Sequence, residues 1–497
     1  MMDLIRNFPA ISILLCLFAG IISSGFHGKP AKYINLVLIL TVTALSACTL
    51  GYTLHTGEAF VYVVGKFSAP WGNELRAGVL EAAMALFFCV IMLLSICGGV
   101  KKLVGEVAEE KRFLYYVLTD LLLSSLLALV YTNDLFTAYV FVEINTIAAC
   151  GLIMIRQNGR TVEAAARYMI MSLLGSGLLL LGICMLYDIT GHLLMSNIRE
   201  SVIQIAASGA YPIPLLVTIA LMSVGLAIKS ALFPFHTWLP DAYGYSTVSS
   251  AAMLSSLVSK GYLFLLIKII YRVIGFEIFH DSKIINVLFI FGLMGMIFGS
   301  LSAIKENDVR RMISFSSVAQ IGYIYMGIGL GTKAAMIASV FHILSHAATK
   351  SMLFIAAIGL TDVSGGSRKF QDLTGAAYRH KIAGVTFTAG ALSMVGIPMF
   401  SGFISKLLFA QAAVANQGKM LPALIVLAVS TILNAIYFMK TVIRIYTPVE
   451  EKGEHITCRQ EKLYALTCIC FIVLNVILGV LSQPIVDWIQ AGLDMFA

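Results

Sequence analysis

The chain has 497 residues, 59% of them hydrophobic and only 12% charged, with a formal net charge of +8; soluble globular chains carry about 25% charged residues. A mean hydropathy of +0.90 excludes an ordinary soluble domain and points to lipid as the main solvent. The positive charge lies in short loops between apolar stretches, so it reports membrane orientation and not nucleic-acid binding.

A helix needs about 20 apolar residues to cross the hydrocarbon core. Candidate spans in chain order are 9–25, 33–52, 77–99, 113–132, 134–155, 165–187, 211–234, 246–273, 284–303, 310–330, 335–360, 382–412, 420–445 and 463–489. The fold class expected is therefore an all-α membrane protein of about fourteen transmembrane helices. The first span reads as a retained helix, because more membrane follows it and not a soluble mature chain. The segments 53–76, 188–210 and 446–462 read as loops. With the N-terminus outside, inner loops hold about 19 Lys and Arg residues, Lys452 and Arg459 among them, against about 8 in outer segments. An even number of spans then puts both termini on the outer side. The nine cysteines, Cys89, Cys97, Cys150, Cys184, Cys468 and Cys470 among them, fall almost all inside spans. They show no metal-ligand spacing and no disulfide framework, and read as small packing residues.

Two spans are interrupted. The seventh contains Lys229-Ser-Ala-Leu-Phe-Pro234-Phe-His236, and the twelfth contains Gly396-Ile-Pro398 ahead of Ser401-Gly402 and Lys406. Proline removes a backbone donor and glycine weakens a helix. Two such breaks, five spans apart and each beside a lysine, predict discontinuous helices in an inverted repeat; ordinary proline kinks are the alternative.

Charge at mid-membrane costs at least ~2.5–3.5 kcal/mol on insertion scales, so each buried ionisable residue needs a reason. Glu143 lies ~15 Å beyond the Asn133-Asp134 loop if helical. It is too short to reach water and requires a cation, for which Lys229 is the natural partner. A lysine caught between desolvation and a carboxylate changes protonation when its neighbour moves. Lys260 sits deep in the eighth span among serines and suits a relay. Lys268, nearer the outer end, is expected to reach the interface. His342, His346 and Lys350 recur every four residues, which stacks them on one helix face. Imidazoles change charge near neutral pH and suit a relay between lysines. A metal there would need carboxylate or cysteine partners, and none is at short range. Lys406 occupies in the second half the place of Lys229 in the first. Asp308, Arg310 and Arg311 read as interfacial charges, Asp241 as a loop residue, and Asp120 as a buried acid whose partner the sequence does not name. No P-loop, dinucleotide fingerprint or cysteine cluster is present. No catalytic residue, metal, cofactor or redox centre is therefore expected in this chain, and energy must come from an ion gradient or from partners.

Several long motifs carry a family resemblance: Asn133-Asp134-Leu135-Phe136 leading to Glu143, Lys229 through Pro234, Pro240 and Asp241 to Ala242, Asn307 through Arg310 and Arg311 to Gly322, the His342/His346 helix, and Gly396-Ile-Pro398 through Ser401-Gly402-Phe403 to Lys406. Residues 110–410 resemble the antiporter-like subunits of respiratory complex I, of membrane-bound hydrogenases and of Mrp-type cation/proton antiporters. The resemblance implies fourteen helices, with inverted five-helix repeats at spans 4–8 and 9–13 and broken helices 7 and 12. It implies a hydrated axis in which Glu143 and Lys229 are the coupling pair, Lys260 and the histidine helix the central connection, and Lys406 the terminal residue. Some family members carry Glu at that last position, and the lysine here fits the Mrp-D type and some of its complex I relatives. The longest members also have a lateral helix after the last span, which this sequence is not expected to have.

The organisation expected is an N-terminal three-helix segment 1–112, half-channels 113–273 and 284–445, and a C-terminal loop and helix 446–497. The function expected is proton or sodium/proton translocation along Glu143, Lys229, Lys260, His342, His346, Lys350 and Lys406. The expected setting is a multi-subunit complex in the inner membrane of a bacterium or archaeon. Its partners would be other membrane subunits, protons or sodium, and lipid. The alternatives are a stand-alone secondary transporter of a small solute, and a scaffold for redox partners with no ion path.

Overall fold

The structure, a computed structural model, describes residues 2–26, 29–67, 72–449, 456 and 460–496. Among these, twelve helices are long and apolar enough to cross a membrane, and Phe8–Ser24, Lys381–Val395 and Ser401–Val414 are shorter apolar helices. Helix starts follow capping chemistry. Asp134 accepts from Thr137 N (2.6 Å), Asn158 from Thr161 N (2.9 Å) and Asp308 from Arg310 N (2.8 Å), each satisfying an amide that the first turn leaves free.

The bundle is apolar outside and carries polar groups within its apolar core. Phe18, Val37, Leu173, Ile432 and Val480 point outward, whereas buried serines, threonines, lysines and histidines are set among the buried apolar side chains. Lipid gives no hydrophobic drive for helices to associate, so small and polar side chains form the contacts between them. Two helical spans, Val248–Ile274 and Lys333–Asp362, are buried along their apolar windows, while Met420–Ile445 buries about a third of its own. The two most enclosed spans carry Lys260 on one and His342, His346 and Lys350 on the other.

The segment 53–76 holds a short antiparallel hairpin, Phe60–Val63 paired with Glu74–Ala77, a departure from the all-α expectation. The segment 188–210 contains the helix Met195–Ser208, which buries Met195, Ile198 and Val202. That spacing is helical, but the stretch is too polar to span, so it reads as loop on hydropathy alone. The expected span 463–489 divides into Lys462–Val480 and Ser482–Asp494. Most of the loop 446–462, with Lys452 and Arg459, lies outside the described residues.

Two charges differ from expectation, and a third gains the partner the sequence does not name. Lys268 does not reach the interface. It is 1% exposed and donates to the carbonyls of Val130 (2.8 Å) and Thr132 (2.5 Å), which are free because the helix Arg112–Tyr131 ends there. Arg310 is likewise buried and donates to the Ser246 (2.6 Å) and Tyr243 (3.2 Å) carbonyls. Asp120 is buried with Asn35 as its partner, Asn35 Nδ2 donating to Oδ1 at 2.6 Å.

Candidate ion path

The helix Leu135–Met154 places Glu143 and Thr146 one turn apart. Facing them, the helix Pro212–Lys229 ends on Lys229. It stops because Ala231 takes a left-handed φ of 63°, and the Leu232 amide turns back to the Ala227 carbonyl at 2.9 Å. Pro234 follows in the non-helical stretch before residues 235–238. Lys229 is thus the last residue of the helix, at its negative end. Its Nζ lies 3.5 Å from Glu143 Oε1, donates to Thr146 Oγ1 at 2.6 Å and stands 5.4 Å from the centre of the Tyr262 ring. Tyr262 O–H donates to Asn145 Oδ1 (3.0 Å), and Asn145 Nδ2 to Ser125 Oγ (2.9 Å). Ser176 O–H donates to Glu143. Lys229 has no exposed side-chain surface, whereas Glu143 is 25% exposed.

Lys260 follows a π-helical turn, Leu254–Val258. Such a turn shifts the backbone hydrogen-bond register, and Lys260 Nζ donates to the Ser255 carbonyl and to Ser259 Oγ (3.3 Å). His342 and His346 stack with centroids 5.8 Å apart and planes at 15°. His342 Nδ1 pairs with Ser405 Oγ at 2.5 Å, and Tyr323 stacks on the same ring at 5.5 Å. Among the described residues neither ring nitrogen of His346 has a hydrogen-bond partner, and Lys260 and Lys350 are its charged neighbours. Lys350 donates to the Ile313 carbonyl (2.9 Å) and to Ser316 Oγ.

At the second interruption the helix Lys381–Val395 closes on Gly396, with φ 93°. Residues 396–400, Pro398 among them, are non-helical, and Met399 has φ 79°. Lys406, on the helix Ser401–Val414, reaches back to the freed carbonyls of Met394 (3.1 Å) and Val395 (2.7 Å). A Cβ on Gly396 would stand 3.0 Å from Lys406 Cδ, so the glycine serves both the left-handed turn and the approach of the lysine.

The structure brings Glu143 to Lys229, and His342 to His346, with Lys260 and Lys350 as neighbours. Tyr323 is near both Lys406 and the histidines, 5.9 Å from the Lys406 ammonium by ring centre and stacked on His342. Lys260, Lys268, Lys350 and Lys406 share one solution to burial: each ammonium rests on main-chain carbonyls, three of them at a helix end or a π turn. Sequence reading missed Thr146, Ser176, Tyr262, Tyr323 and Ser405. Thr146 and Ser405 had a signal, lying one turn from Glu143 and next to Lys406. Among the described residues, no cluster of His, Cys, Asp or Glu could hold a metal ion.

A many-spanning helical bundle with buried lysines and imidazoles strung through its interior is a polytopic membrane protein with an internal ionisable chain. The chain belongs to the NADH:quinone oxidoreductase/Mrp antiporter transmembrane family, whose profile matches residues 132–433. It is 34% identical over 414 residues to NADH-quinone oxidoreductase subunit N of Desulforudis audaxviator, covering 83% of this chain and 80% of that one. It superposes on a chain of the membrane-bound sulfane sulfur reductase, an archaeal respiratory membrane complex, with a TM-score of 0.87 and 27% identity over 100% of this chain and 97% of that one. A chain of the Mrp complex from Dietzia sp. DQ12-45-1b gives 0.86 and 25%, covering 99% and 97%.

Proposed function

We propose that this chain is a proton- or sodium/proton-translocating subunit of a multi-subunit membrane complex, driven by a partner redox module or by an ion gradient. The observation that carries the reading is the loose pair Glu143–Lys229 at 3.5 Å, in a bundle that also buries Lys260, His342, His346 and Lys350 and half-buries Lys406. Each such charge costs at least ~2.5–3.5 kcal/mol to insert, and a scaffold gains nothing from them. The relatives support a shared complex, since they are subunits or chains of respiratory and antiporter assemblies. So does Glu143. It is partly exposed beside outward-facing Phe136, Val140 and Ile147, and a carboxylate near mid-span calls for a covering neighbour in place of lipid.

In this reading a movement at one end changes the Glu143–Lys229 distance and with it the proton affinity of the lysine. The proton then passes by Lys260, His346 and His342, with Lys350 beside them, toward Lys406. Water is the natural filler for the unpartnered His346 nitrogens, because buried polar atoms are served by protein or by water. The finer architecture belongs to the same proposal: fourteen spans, inverted repeats at spans 4–8 and 9–13, half-channels at 113–273 and 284–445, and both termini on the outer side of a bacterial or archaeal inner membrane. In its support, each interruption pairs a lysine with a non-glycine residue at positive φ, Ala231 in the first and Met399 in the second; strain of this kind clusters at working sites.

Proton flux into vesicles holding the whole complex tests the proposal. Lys229→Ala should abolish flux in a complex that still assembles. Full flux from an assembled Lys229→Ala complex would refute it.

A further inference from the structure

We infer that a ladder of buried serines joins the basic mouth at one end of the bundle to Lys260, and that protons exchange between bulk water and the middle of the path along it. The inference rests on the function proposed above. It adds an entry that neither the sequence motifs nor the Glu143–Lys229 pair provides, built partly from the N-terminal helices.

The mouth is a cavity of about 460 Å³, with Gly98, Lys102, Glu106, Val248, Arg310 and Asp362 in its wall. Two long helices run inward from it. Val79–Glu106 carries Glu106, Lys102, Gly98 and Ser95 on one face, at helical spacing. Lys333–Asp362 carries Asp362, Ile358, Ile355 and Ser351 in the same way. Lys102 and Asp362 pair across the opening. One turn, ~5 Å, below Gly98, the lining changes from charged groups to hydroxyls.

Ser249 O–H donates to the Ser95 carbonyl at 3.1 Å. It packs so closely on the neighbouring turn that a Cβ on Gly99 would fall 1.8 Å from its Oγ. Ser95 Oγ and Ser351 Oγ are 3.1 Å apart, and Ser351 O–H donates to Ser256 Oγ at 2.7 Å. Ser256 lies one turn before Lys260, whose ammonium holds the Ser255 carbonyl and Ser259 Oγ. Ser95, Ser249, Ser256, Ser259 and Ser351 are all buried.

A hydroxyl in a membrane helix ordinarily bonds back to its own helix, and Ser95 does so to Ile91. Contacts running hydroxyl to hydroxyl across three separate segments are a different arrangement. Each hydroxyl both donates and accepts, so the row Ser95–Ser351–Ser256 can hand a proton on by successive rotation, with water completing the steps to the mouth and to Lys260. The mouth carries more cationic than anionic side chains. That disfavours any cation at the opening, but single hydroxyls in a row can pass a proton and form no multi-oxygen cage for sodium, so the entry is assigned to protons.

Flux in vesicles holding the whole complex, with Lys229→Ala as the zero reference, tests the ladder. Ser351→Val fills the site without a hydroxyl and should lower proton flux about tenfold, the effect of one lost polar contact in the rate-limiting barrier. Ser351→Gly leaves room for a water among Ser95 Oγ, Ser256 Oγ and the Ala252 carbonyl, and should keep flux near the unsubstituted level. Unchanged flux with Ser351→Val in an assembled complex would overturn the ladder, as would equal loss in both variants, which marks a packing effect. Either result leaves the proposed function standing while Lys229→Ala is inactive. Within this set of variants, flux through Lys229→Ala is the result that strikes the proposed function itself.

Discussion

Lys229 Nζ stands 2.6 Å from Thr146 Oγ1 but 3.5 Å from Glu143 Oε1. The ammonium is held by a neutral hydroxyl and only approached by the carboxylate, which keeps a second bond to Ser176. A tight buried ion pair would resist separation; a loose one with alternative partners on both sides can open and close. Thr146→Val keeps the side-chain shape and removes the hydroxyl. Hydrogen bonds to charged groups contribute about 1.5–3 kcal/mol, so proton flux should fall at least about tenfold. Flux normalised to assembled complex checks this.

Gly396→Ala should impair both stability and transport. The position needs φ 93°, and an alanine Cβ would press on Lys406 Cδ at 3.0 Å. A cost of about 1–2 kcal/mol is expected from the left-handed backbone alone. A lower unfolding temperature of the assembled complex, together with reduced flux, is the expected outcome.

Lys268→Met should separate structure from transport. The ammonium holds the Val130 and Thr132 carbonyls and lies off the proposed path. Its loss should reduce the yield of assembled complex, at a cost of about 1–3 kcal/mol for the orphaned acceptors. Flux per assembled complex should stay normal. Normal yield with lost flux would place Lys268 on the path.

Asn35→Leu should destabilise the N-terminal helices. Asp120 is fully buried, and its contact with Asn35 joins the helices Lys29–Thr56 and Arg112–Tyr131. Removing the amide leaves a buried carboxyl group without that bond, a loss of about 1–3 kcal/mol. Thermal unfolding of the complex, compared with Asn35→Gln, reads the effect.

Spans are legible in this sequence because long apolar runs carry their own signal, and buried charges stand out because lipid tolerates so few. Glu143 and Lys229 could be paired on depth alone, and His342 and His346 on their spacing of four. What was not legible depended on other helices. Lys268 looked like an interfacial residue because sequence distance measures depth along one helix; it does not reveal that the helix Arg112–Tyr131 ends beside it with carbonyls to spare. The helix Met195–Ser208 was hidden because hydropathy sees content and not periodicity. The serine ladder was invisible for a similar reason: Ser95, Ser256 and Ser351 lie far apart in sequence, and single serines in apolar runs are common.

The central claim is that Glu143 acts on the proton carried by Lys229. The most direct measurement is ion flux in vesicles holding the whole complex, comparing unsubstituted protein with Glu143→Gln, with and without sodium. Glutamine keeps the shape and a hydrogen-bonding oxygen for Ser176 but removes the charge, so flux should be lost while assembly is kept, and a sodium dependence of the unsubstituted flux would assign sodium/proton exchange. Unchanged flux from an assembled Glu143→Gln complex would contradict the account, making the pair with Lys229 structural and moving the path elsewhere.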